Sequence, residues 1–410
     1  MTIARLLAFL FSLIVAQTAC SVGPDQITSR SVRSGELHGM WVTRWDYLTA
    51  GDVKDIMANC QAIGTTDVFW QVRGQADAYY PSDLEPWGEH LFRSTEGGSH
   101  ERTPTPEEVR RGPGYDPLAV AVKEAHARGM RLHAWVNAMP MWKGTRPPAD
   151  PTHVWHTRPD LRLKDLDGTP QPLTDHYVIF NPVLDASQDH LVAVLKDLSD
   201  RYDIDGVHLD YIRFVSELID KSKLYPGDAT SRALYTAQTG RPFTNTPEGL
   251  APYRDWVRDR ITRLVTRIHD EVIRAEPGRV LTAAVWRRPD LAQDYLQDAE
   301  AWLQLGLIDA AMPMIYTDKD EQYDSDLKAW LAVPGVRSTR IVPGLGSYKH
   351  PSGVQTVRQI RSGPNPDRYV LFAYSTYFDS RAPDQDQSAQ ERRLREAHRL
   401  PLIRTVEAGG

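Results

Sequence analysis

The stretch YDIDGVHLDYIR, residues 202–213, decides the fold of this 410-residue chain. Apolar and polar residues alternate from Val207 to Ile212, which is the period of a β-strand, so His208 and Asp210 project to the same side. A helical pattern immediately precedes this strand. A helix that leads into a short strand ending in charged residues is typical of an α/β protein, in which the carboxyl ends of parallel strands carry the chemistry.

Strand-like and helix-like segments alternate from Glu36 onward. Strands are predicted at Leu37–Trp45, Asp67–Arg73, Arg131–Asn137, Gly206–Ile212, Val280–Trp286, Ala310–Tyr316, Arg340–Leu345 and Tyr369–Tyr377. Helices are predicted at Asp52–Ile63, Pro117–Arg128, Ser187–Tyr202, Tyr253–Ala275, Ala292–Leu305, Gln322–Leu331, Gly353–Arg361 and Ser388–His398. Eight strands, each followed by a helix, predict a (β/α)8 TIM barrel. A doubly wound open sheet is the alternative, but its glycine-rich phosphate turn has no counterpart in the residues after the first strand.

Long connections follow the second, third and fourth predicted strands, at Gly74–Tyr115, Ala138–Ala186 and Phe214–Pro252. In a barrel all three emerge on the face where active sites form. Loops of this length inside a compact domain are usually functional or disordered. Because these loops contain several tryptophans and tyrosines, we expect them to be largely ordered and to form a binding face.

The amino-terminal residues differ from the rest of the chain. Residues 1–20 combine Arg5, an apolar stretch and small residues before Cys20, which predicts an export signal too short to span a membrane. Cys20 stands where a bacterial lipoprotein carries its lipid, with ordinary cleavage nearby as the alternative. The predicted organisation is a signal over 1–20, a flexible tether over 21–35, a barrel over 36–400 and a tail over 401–410.

Composition limits the classes of partner. A quarter of the residues are charged and the net charge is -6, which is typical of a soluble globular domain. The pI of about 6.1 and the lack of a basic run argue against nucleic acid as the main partner. The histidine spacings of common metal sites are missing from the sequence, so we expect neither a metal nor another cofactor. The expected partners are a polysaccharide and, through Cys20, a membrane.

Glycoside hydrolysis needs two carboxyl groups, or one and a substrate group, across the scissile bond. Asp210, at the end of the fourth predicted strand, is the strongest catalytic candidate. Asp77 and Asp46 are the preferred partners, while Asp318 lies in a solvated run of charges. For each aspartate, a structural or surface ion pair is the alternative. The fifth and seventh predicted strands end without a carboxylate, which excludes the barrels that pair glutamates on strands four and seven.

Other strand ends offer polar and aromatic side chains, a mixture suited to sugar hydroxyls and to the apolar faces of sugar rings. The predicted substrate-binding residues are Arg44, Trp45, Gln71, Arg73, Asn137, His208, Tyr211, Arg213, Trp286 and Tyr316. Trp45, Trp286 and Tyr316 are expected to stack on sugars. For His208 the alternative is a histidine buried in the core with its hydrogen bonds satisfied.

The chain resembles the bacterial glycosyl hydrolase-like 10 family. The motifs that carry the resemblance are LHGMWVTRWD at 37–46, FWQVRGQADAYY at 69–80, EPW at 85–87, GMRLHAWVN at 129–137 and DGVHLDYIR at 205–213. The resemblance implies a barrel, a secreted or lipoprotein location and glycan hydrolysis, and it points to Asp46, Asp77, Asp210 and Arg213. At least one relative in that group cleaves peptidoglycan strands stripped of their peptides. The later strands depart from a simple catalytic pattern because they supply no acid.

We therefore expect an exported, lipid-anchored glycoside hydrolase of the cell envelope that acts on peptidoglycan glycan strands. Two alternatives stay open at this stage. One is a non-catalytic glycan-binding lipoprotein on a barrel scaffold, and the other is a hydrolase of extracellular α- or β-glucans.

Overall fold

The computed structural model describes residues 35–92, 103–214, 223–379 and 389–409. The predicted signal with Cys20, and the tether up to residue 34, lie outside the described residues. The strands, numbered in chain order, are β1 Leu37–Val42, β2 Asp67–Arg73, β3 Arg131–Asn137, β4 Pro140–Lys143, β5 Tyr177–Ile179, β6 Gly206–Asp210, β7 Val280–Val285, β8 Ala310–Ile315, β9 Gly344–Gly346 and β10 Arg368–Phe372. Eight of these strands are parallel and close into a barrel in the order β1-β10-β9-β8-β7-β6-β3-β2. The predicted barrel is confirmed.

Helices surround the barrel. In chain order they are α1 Ala50–Ala62, α2 Pro106–Arg111, α3 Pro117–His126, α4 Val154–Thr157, α5 Asp185–Arg201, α6 Ala229–Thr239, α7 Pro247–Ile268, α8 Pro289–Asp294, α9 Ala299–Gln304, α10 Asp320–Leu331, α11 Gly353–Ser362, α12 Tyr374–Tyr377 and α13 Ala389–Gly409. Among the described residues, no helix is both long and apolar enough to cross a membrane.

Some boundaries differ from the predicted ones for identifiable reasons. The helix predicted over Ala292–Leu305 is two short helices, because Leu296 adopts a positive φ of 58° between them. The seventh barrel strand is displaced to Gly344–Gly346, since Ser338–Arg340 forms a 3-10 turn. The last helix continues to Gly409, so the predicted tail begins within a helix.

The loop after β3 contains a two-stranded antiparallel sheet that was not predicted. We call this pair of strands, β4 and β5, the hairpin, although a long loop connects them. Strands β4 and β5 pair antiparallel, with Pro140 opposite Ile179 and Lys143 opposite Tyr177. The hairpin lies at the carboxyl ends of the barrel strands, and its apolar side chains form a small separate core with Trp155 and Phe180. It therefore forms one wall of the mouth of the barrel.

Aromatic and imidazole rings fill the interior of the barrel below the mouth. Phe69 stacks on His133 with ring centroids 4.7 Å apart, and Trp41 lies 5.8 Å from His208. Gly39 on β1 is required here, because a Cβ atom would come within 2.8 Å of Val370 on β10. The filled interior leaves the strand ends, where Asp210 lies, as the level at which a ligand can bind.

Candidate active site

Asp210 ends β6 and lies opposite Asn137, the last residue of β3. The residue is 6% exposed, and its Oδ1 accepts a hydrogen bond of 2.6 Å from the backbone N–H of Tyr211. Burial raises the pKa of Asp210, while the charge of Arg213, the Tyr211 N–H and the nearby indole of Trp135 oppose the increase. A carboxyl group that holds its proton more readily than usual is suited to acid–base chemistry.

Arg213 is held beside Asp210 by aromatic rings. Its guanidinium lies 4.2 Å from the ring centroid of Tyr211 and 5.5 Å from that of Trp286. Its Nη2 is 3.8 Å from Asp210 Oδ1. Tyr211 has a positive φ of 49°, a left-handed conformation that non-glycine residues adopt rarely and that is often found at functional sites. The strand end therefore presents a carboxylate, a cation and aromatic faces together.

Asp77 follows β2 in a tight turn. Its Oδ1 accepts hydrogen bonds from the backbone N–H groups of Gly74, at 3.1 Å, and Gln75, at 2.8 Å. Its Oδ2 is buried and has no hydrogen-bond partner among the described residues. Burial raises the pKa of Asp77, and the charge of Arg44 opposes this. Asp77 is thus a second buried carboxyl group with one oxygen left uncommitted.

Two sets of contacts join Asp77 to Asp210. Asn137, which lies opposite Asp210, donates from Nδ2 to the carbonyl oxygen of Gly74 at 3.0 Å, and the N–H of Gly74 donates to Asp77. On the other side, Tyr177 accepts a hydrogen bond of 3.1 Å from Arg44 and packs edge-on against Tyr211, with ring centroids 5.0 Å apart. Both carboxyl groups therefore belong to one connected mouth.

Asp46 lies outside the two clefts at the mouth, beside α1. Its Oδ2 accepts hydrogen bonds from the backbone N–H and the hydroxyl of Thr43, at 2.7 and 2.8 Å. It lines a separate cleft of about 290 Å³ with residues of α1 and with Tyr374 of α12. Burial raises its pKa to about 6. Asn137 and Gly74 link the turn that holds Asp77 to the strand end that holds Asp210, whereas Asp46 lines a different cleft.

His208 is fully buried one layer below Asp210. Its Nε2 accepts a hydrogen bond of 3.0 Å from the indole N–H of Trp41, and its Nδ1 lies 2.9 Å from Thr282 Oγ1. Because an indole only donates, Nε2 carries no proton, so Nδ1 carries it and donates to Thr282. Burial lowers the pKa of His208 well below its ordinary value. The structure thus places His208 in the core, as the alternative interpretation held, and out of reach of a sugar.

Arg73 and Gln71 also lie beneath the surface of the mouth. Arg73 is 1% exposed and donates to both carboxylate oxygens of Glu85, at 2.8 and 2.7 Å, and to the carbonyl oxygen of Asn137. Gln71 accepts a hydrogen bond of 3.0 Å from the backbone N–H of Arg44. Their hydrogen bonds hold the loops after β1, β2 and β3, so they support the site from below.

Two clefts open at the mouth. The first cleft, about 670 Å³, lies between the loops after β1 and β2 and the hairpin, and its lining residues include Arg44, Trp45, Asp77, Tyr79, Glu89, Trp142, Lys143, Arg146 and Asp175. The second cleft, about 560 Å³, lies over the ends of β6 to β9 and is lined by Tyr211, Arg213, Trp286, Arg287, Met314, Tyr316, Thr317, Asp318, Lys319, Gln322 and Lys349. Asp210 lies where the second cleft begins, since Tyr211 and Arg213 flank it.

The predicted stacking residues are divided between the two clefts. Trp45 is 36% exposed in the first cleft, with the guanidinium of Arg44 4.3 Å from its ring centroid. In the second cleft Trp286 stacks on Tyr295 at 4.3 Å, and Tyr316 lines the same wall. Sequence reasoning missed the lining residues Trp142 and Lys143, which lie on β4, and Lys349, which lies in the loop after β9. For the hairpin residues, the only signal was the aromatic content of the long loop after the third predicted strand.

The fold and the site define the class of (β/α)8 barrels that carry buried carboxyl groups and aromatic clefts at the carboxyl ends of their strands. Within that class the chain belongs to the glycosyl hydrolase-like 10 family, whose sequence profile matches residues 36–360. The predicted family is confirmed.

Two relatives are similar over most of the chain. Glycosyl hydrolase DigH of Escherichia coli (strain K12) is 26% identical over 344 residues, covering 75% of this chain and 69% of that protein. Glycosyl hydrolase YngK of Bacillus subtilis (strain 168) is 26% identical over 342 residues, covering 75% of this chain and 59% of that protein.

Solved structures of two glycosidases share the fold. Alpha-L-fucosidase isoenzyme 2 from Paenibacillus thiaminolyticus aligns with a TM-score of 0.56 and 14% identity, covering 91% of this chain and 49% of that one. The catalytic domain of beta-amylase from Paenibacillus polymyxa aligns with a TM-score of 0.54 and 8% identity, covering 89% and 98%. At these identities the similarity shows the fold alone.

Proposed function

We propose that the protein is a glycoside hydrolase in which Asp210 and Asp77 are the two catalytic carboxyl groups. The observation that carries the proposal is that both are buried at one mouth, with pKa values raised by burial and a connected set of contacts between them. Paired carboxyl groups flanking a sugar-sized opening are what glycosidic bond hydrolysis needs. Membership of the glycosyl hydrolase-like 10 family supports this reaction class.

The hydrogen bonds suggest different roles for the two groups. Two backbone N–H groups occupy Oδ1 of Asp77, so a proton would reside on Oδ2, from which it can pass to the leaving-group oxygen. The adjacent Arg213 favours the ionised form of Asp210, which is the form needed by a nucleophile or a base. We therefore propose Asp77 as the proton donor and Asp210 as the nucleophile or base.

The proposed substrate is the glycan of the cell wall, with peptidoglycan strands as the first choice. Trp45, Trp286 and Tyr316 offer ring faces for sugars, and Arg44 and Arg213 offer donors for hydroxyl groups. We further propose that the protein is exported and lipid-anchored at Cys20, which the mass of the mature amino terminus tests.

The test is replacement of each carboxyl group by its amide. Asp210→Asn and Asp77→Asn should each lower kcat by about 10²–10⁴-fold, because each removes an acid, a base or a nucleophile. Wild type and variants are incubated with peptide-free peptidoglycan, chitin oligomers and glucans, and the products are identified by mass. Melting temperatures within a few degrees of wild type show that a loss of turnover is not a loss of folding. Full turnover by Asp210→Asn would remove Asp210 from the mechanism.

A non-catalytic glycan-binding protein is the second candidate. It is favoured by the ends of β7, β8 and β9, where Trp286, Tyr316 and Gly346 supply no carboxylate opposite Asp210. Wild-type protein that binds the same oligomers but releases no reducing ends during long incubation would support this candidate over the hydrolase.

A further inference from the structure

A turn between β1 and α1 presents two residues to the first cleft. Arg44 and Trp45 both line this cleft, and the guanidinium of Arg44 lies 4.3 Å from the centroid of the Trp45 ring. Thr43 precedes the pair and Asp46 follows it. The backbone N–H of Asp46 donates to the carbonyl oxygen of Thr43 at 3.1 Å, which closes residues 43–46 as a β-turn.

The side chain of Asp46 fixes this 43–46 turn. One of its oxygens, Oδ2, accepts both the backbone N–H of Thr43, at 2.7 Å, and the hydroxyl of Thr43, at 2.8 Å. The same hydroxyl oxygen accepts the backbone N–H of Trp45 at 3.3 Å. The hydroxyl of Thr43 therefore links the carboxyl group of Asp46 to the backbone of Trp45.

Stability does not account for an acidic side chain at this position. Asp46 is 2% exposed, and burial raises its pKa to about 6, so its ionised form costs the folded protein stability at neutral pH. Asp46 also lines a cleft separate from the mouth, so it does not reach a sugar bound there. What the carboxyl group provides is an acceptor for the two donors of Thr43.

The other groups of the first cleft are held by contacts outside the 43–46 turn. The backbone N–H of Arg44 donates to Gln71 at 3.0 Å, and its Nη2 donates to the hydroxyl of Tyr177 at 3.1 Å. Its guanidinium packs on Gly74, where a Cβ atom would come within 2.7 Å of it. Asp77 is held by two backbone N–H groups of the turn after β2. Loosening the 43–46 turn should therefore leave Arg44 and Asp77 in place.

We propose that Asp46 is a positioning residue of the first cleft, which acts through Thr43 to hold the ring of Trp45 where a sugar stacks on it. The inference rests on the proposed function, because it takes the first cleft to be a sugar-binding site. Loss of the turn should weaken substrate binding and spare the chemical step, since the two proposed catalytic carboxyl groups do not depend on it.

Three variants test this role on the glycan that wild type cleaves fastest among peptide-free peptidoglycan, chitin oligomers and glucans. Thr43→Val removes the hydroxyl and keeps the branched shape, and Asp46→Ala removes the acceptor. Each should raise KM about tenfold, the order of one lost stacking contact, and keep kcat within about twofold. Asp46→Asn keeps the accepting oxygen and should keep both wild-type values. Thr43→Val alone decides if Asp46→Ala fails to fold.

Thr66→Val is the matched control. Like Thr43, Thr66 is half-buried, and its hydroxyl donates to a carboxylate, that of Asp67 at 2.6 Å, and accepts a backbone N–H, that of His38 at 2.9 Å. Thr66 directly precedes β2, at the end of the barrel opposite the mouth. The control should lose stability as Thr43→Val does but keep the wild-type KM. An equal rise of KM in the control would overturn the inference.

Crystal structures of Thr43→Val and Asp46→Ala test the positioning without an assay of turnover. The centroid of the Trp45 ring should move beyond about 6 Å from the guanidinium of Arg44, the limit of a cation–π contact. A ring that stays in place, or a displaced ring with an unchanged KM, would overturn the inference and leave the hydrolase proposal intact.

If wild type cleaves none of these glycans, the hydrolase proposal fails, and calorimetric titration with the same oligomers replaces KM. Weaker binding by Thr43→Val than by wild type and Thr66→Val then supports the inference. Equal binding by all three proteins, or no binding by wild type, overturns it.

Discussion

Asp46 lies beside α1 and is 2% exposed, and burial raises the pKa of its carboxyl group to about 6. The folded state holds this proton more tightly than the unfolded chain, so its contribution to stability decreases as the pH rises from about 4 to about 6. The change from 3.8 to about 6 corresponds to about 3 kcal/mol. Asp46→Asn keeps an oxygen for both hydrogen bonds from Thr43 and removes the buried charge.

We therefore expect Asp46→Asn to raise the free energy of unfolding by about 2–3 kcal/mol at pH 7.5 and to change it little at pH 4. Urea unfolding at the two pH values measures this difference. Asp294→Asn, at an exposed position, is the control and should change little at either pH. The same Asp46→Asn protein should retain glycan turnover, and loss of turnover in a folded variant would return Asp46 to the catalytic candidates.

Single residues differ in how far the sequence specifies their environment. The alternation from Val207 to Ile212 was enough to direct Asp210 inward at a strand end, because side-chain direction in a strand follows from position alone. It could not decide between a ligand and a core role for His208. That choice depends on Trp41, which is distant in sequence and donates to Nε2 across the barrel.

At the scale of elements, an ionic network connects the loop after β2 to α5. Glu85 in the loop is 4% exposed and binds Arg73 of β2 and His190 of α5. Burial alone would raise the pKa of Glu85, but the charge of Arg73 and the hydrogen bond from His190 outweigh it, giving a pKa of about 2. The stabilisation is therefore complete above about pH 4.5 and is lost as the pH falls toward 2.

Replacement of Glu85 by Gln should lower the free energy of unfolding by about 3–5 kcal/mol at pH 7, because it leaves Arg73 buried without its counterion. A second pair between the same loop and the same helix offers a matched control. Asp83 binds Arg201 of α5, but its side chain is 86% exposed, so Asp83→Asn should cost at most about 1 kcal/mol. Equal losses for the two variants in denaturant unfolding would mean that burial does not set the strength of these pairs.

The elements that sequence reasoning missed are short and depend on distant partners. The eight barrel strands and most helices could be placed because each has its own hydrophobic period and is bounded by residues that begin or end such an element. The hairpin has strands of four and three residues, which are too short to show a period, and its pairing joins Lys143 to Tyr177 across a long loop. The lining of the first cleft depends on that pairing, so the sequence did not reveal it.

The whole molecule depends on closure of the barrel between β1 and β10. The family profile ends at residue 360, but β10 occupies Arg368–Phe372 and pairs with both β1 and β9. Without β10, β1 and β9 each lose one of their two parallel partners and become edge strands, and Val370 no longer covers the interior around Trp41. Exposed edges of apolar strands promote aggregation.

A chain truncated after Gly363 should consequently aggregate, whereas one truncated after Asp379, which keeps β10 and α12, should elute as a folded protein with a cooperative melt. The longer chain should be less stable than the full protein, because removal of α13 exposes the surface that covers Leu402 and His398. Size-exclusion chromatography and thermal unfolding by circular dichroism make the comparison. A cooperative melt from the shorter chain would mean that seven strands suffice and that β10 does not hold the mouth, with Asp210 and Asp77, in shape.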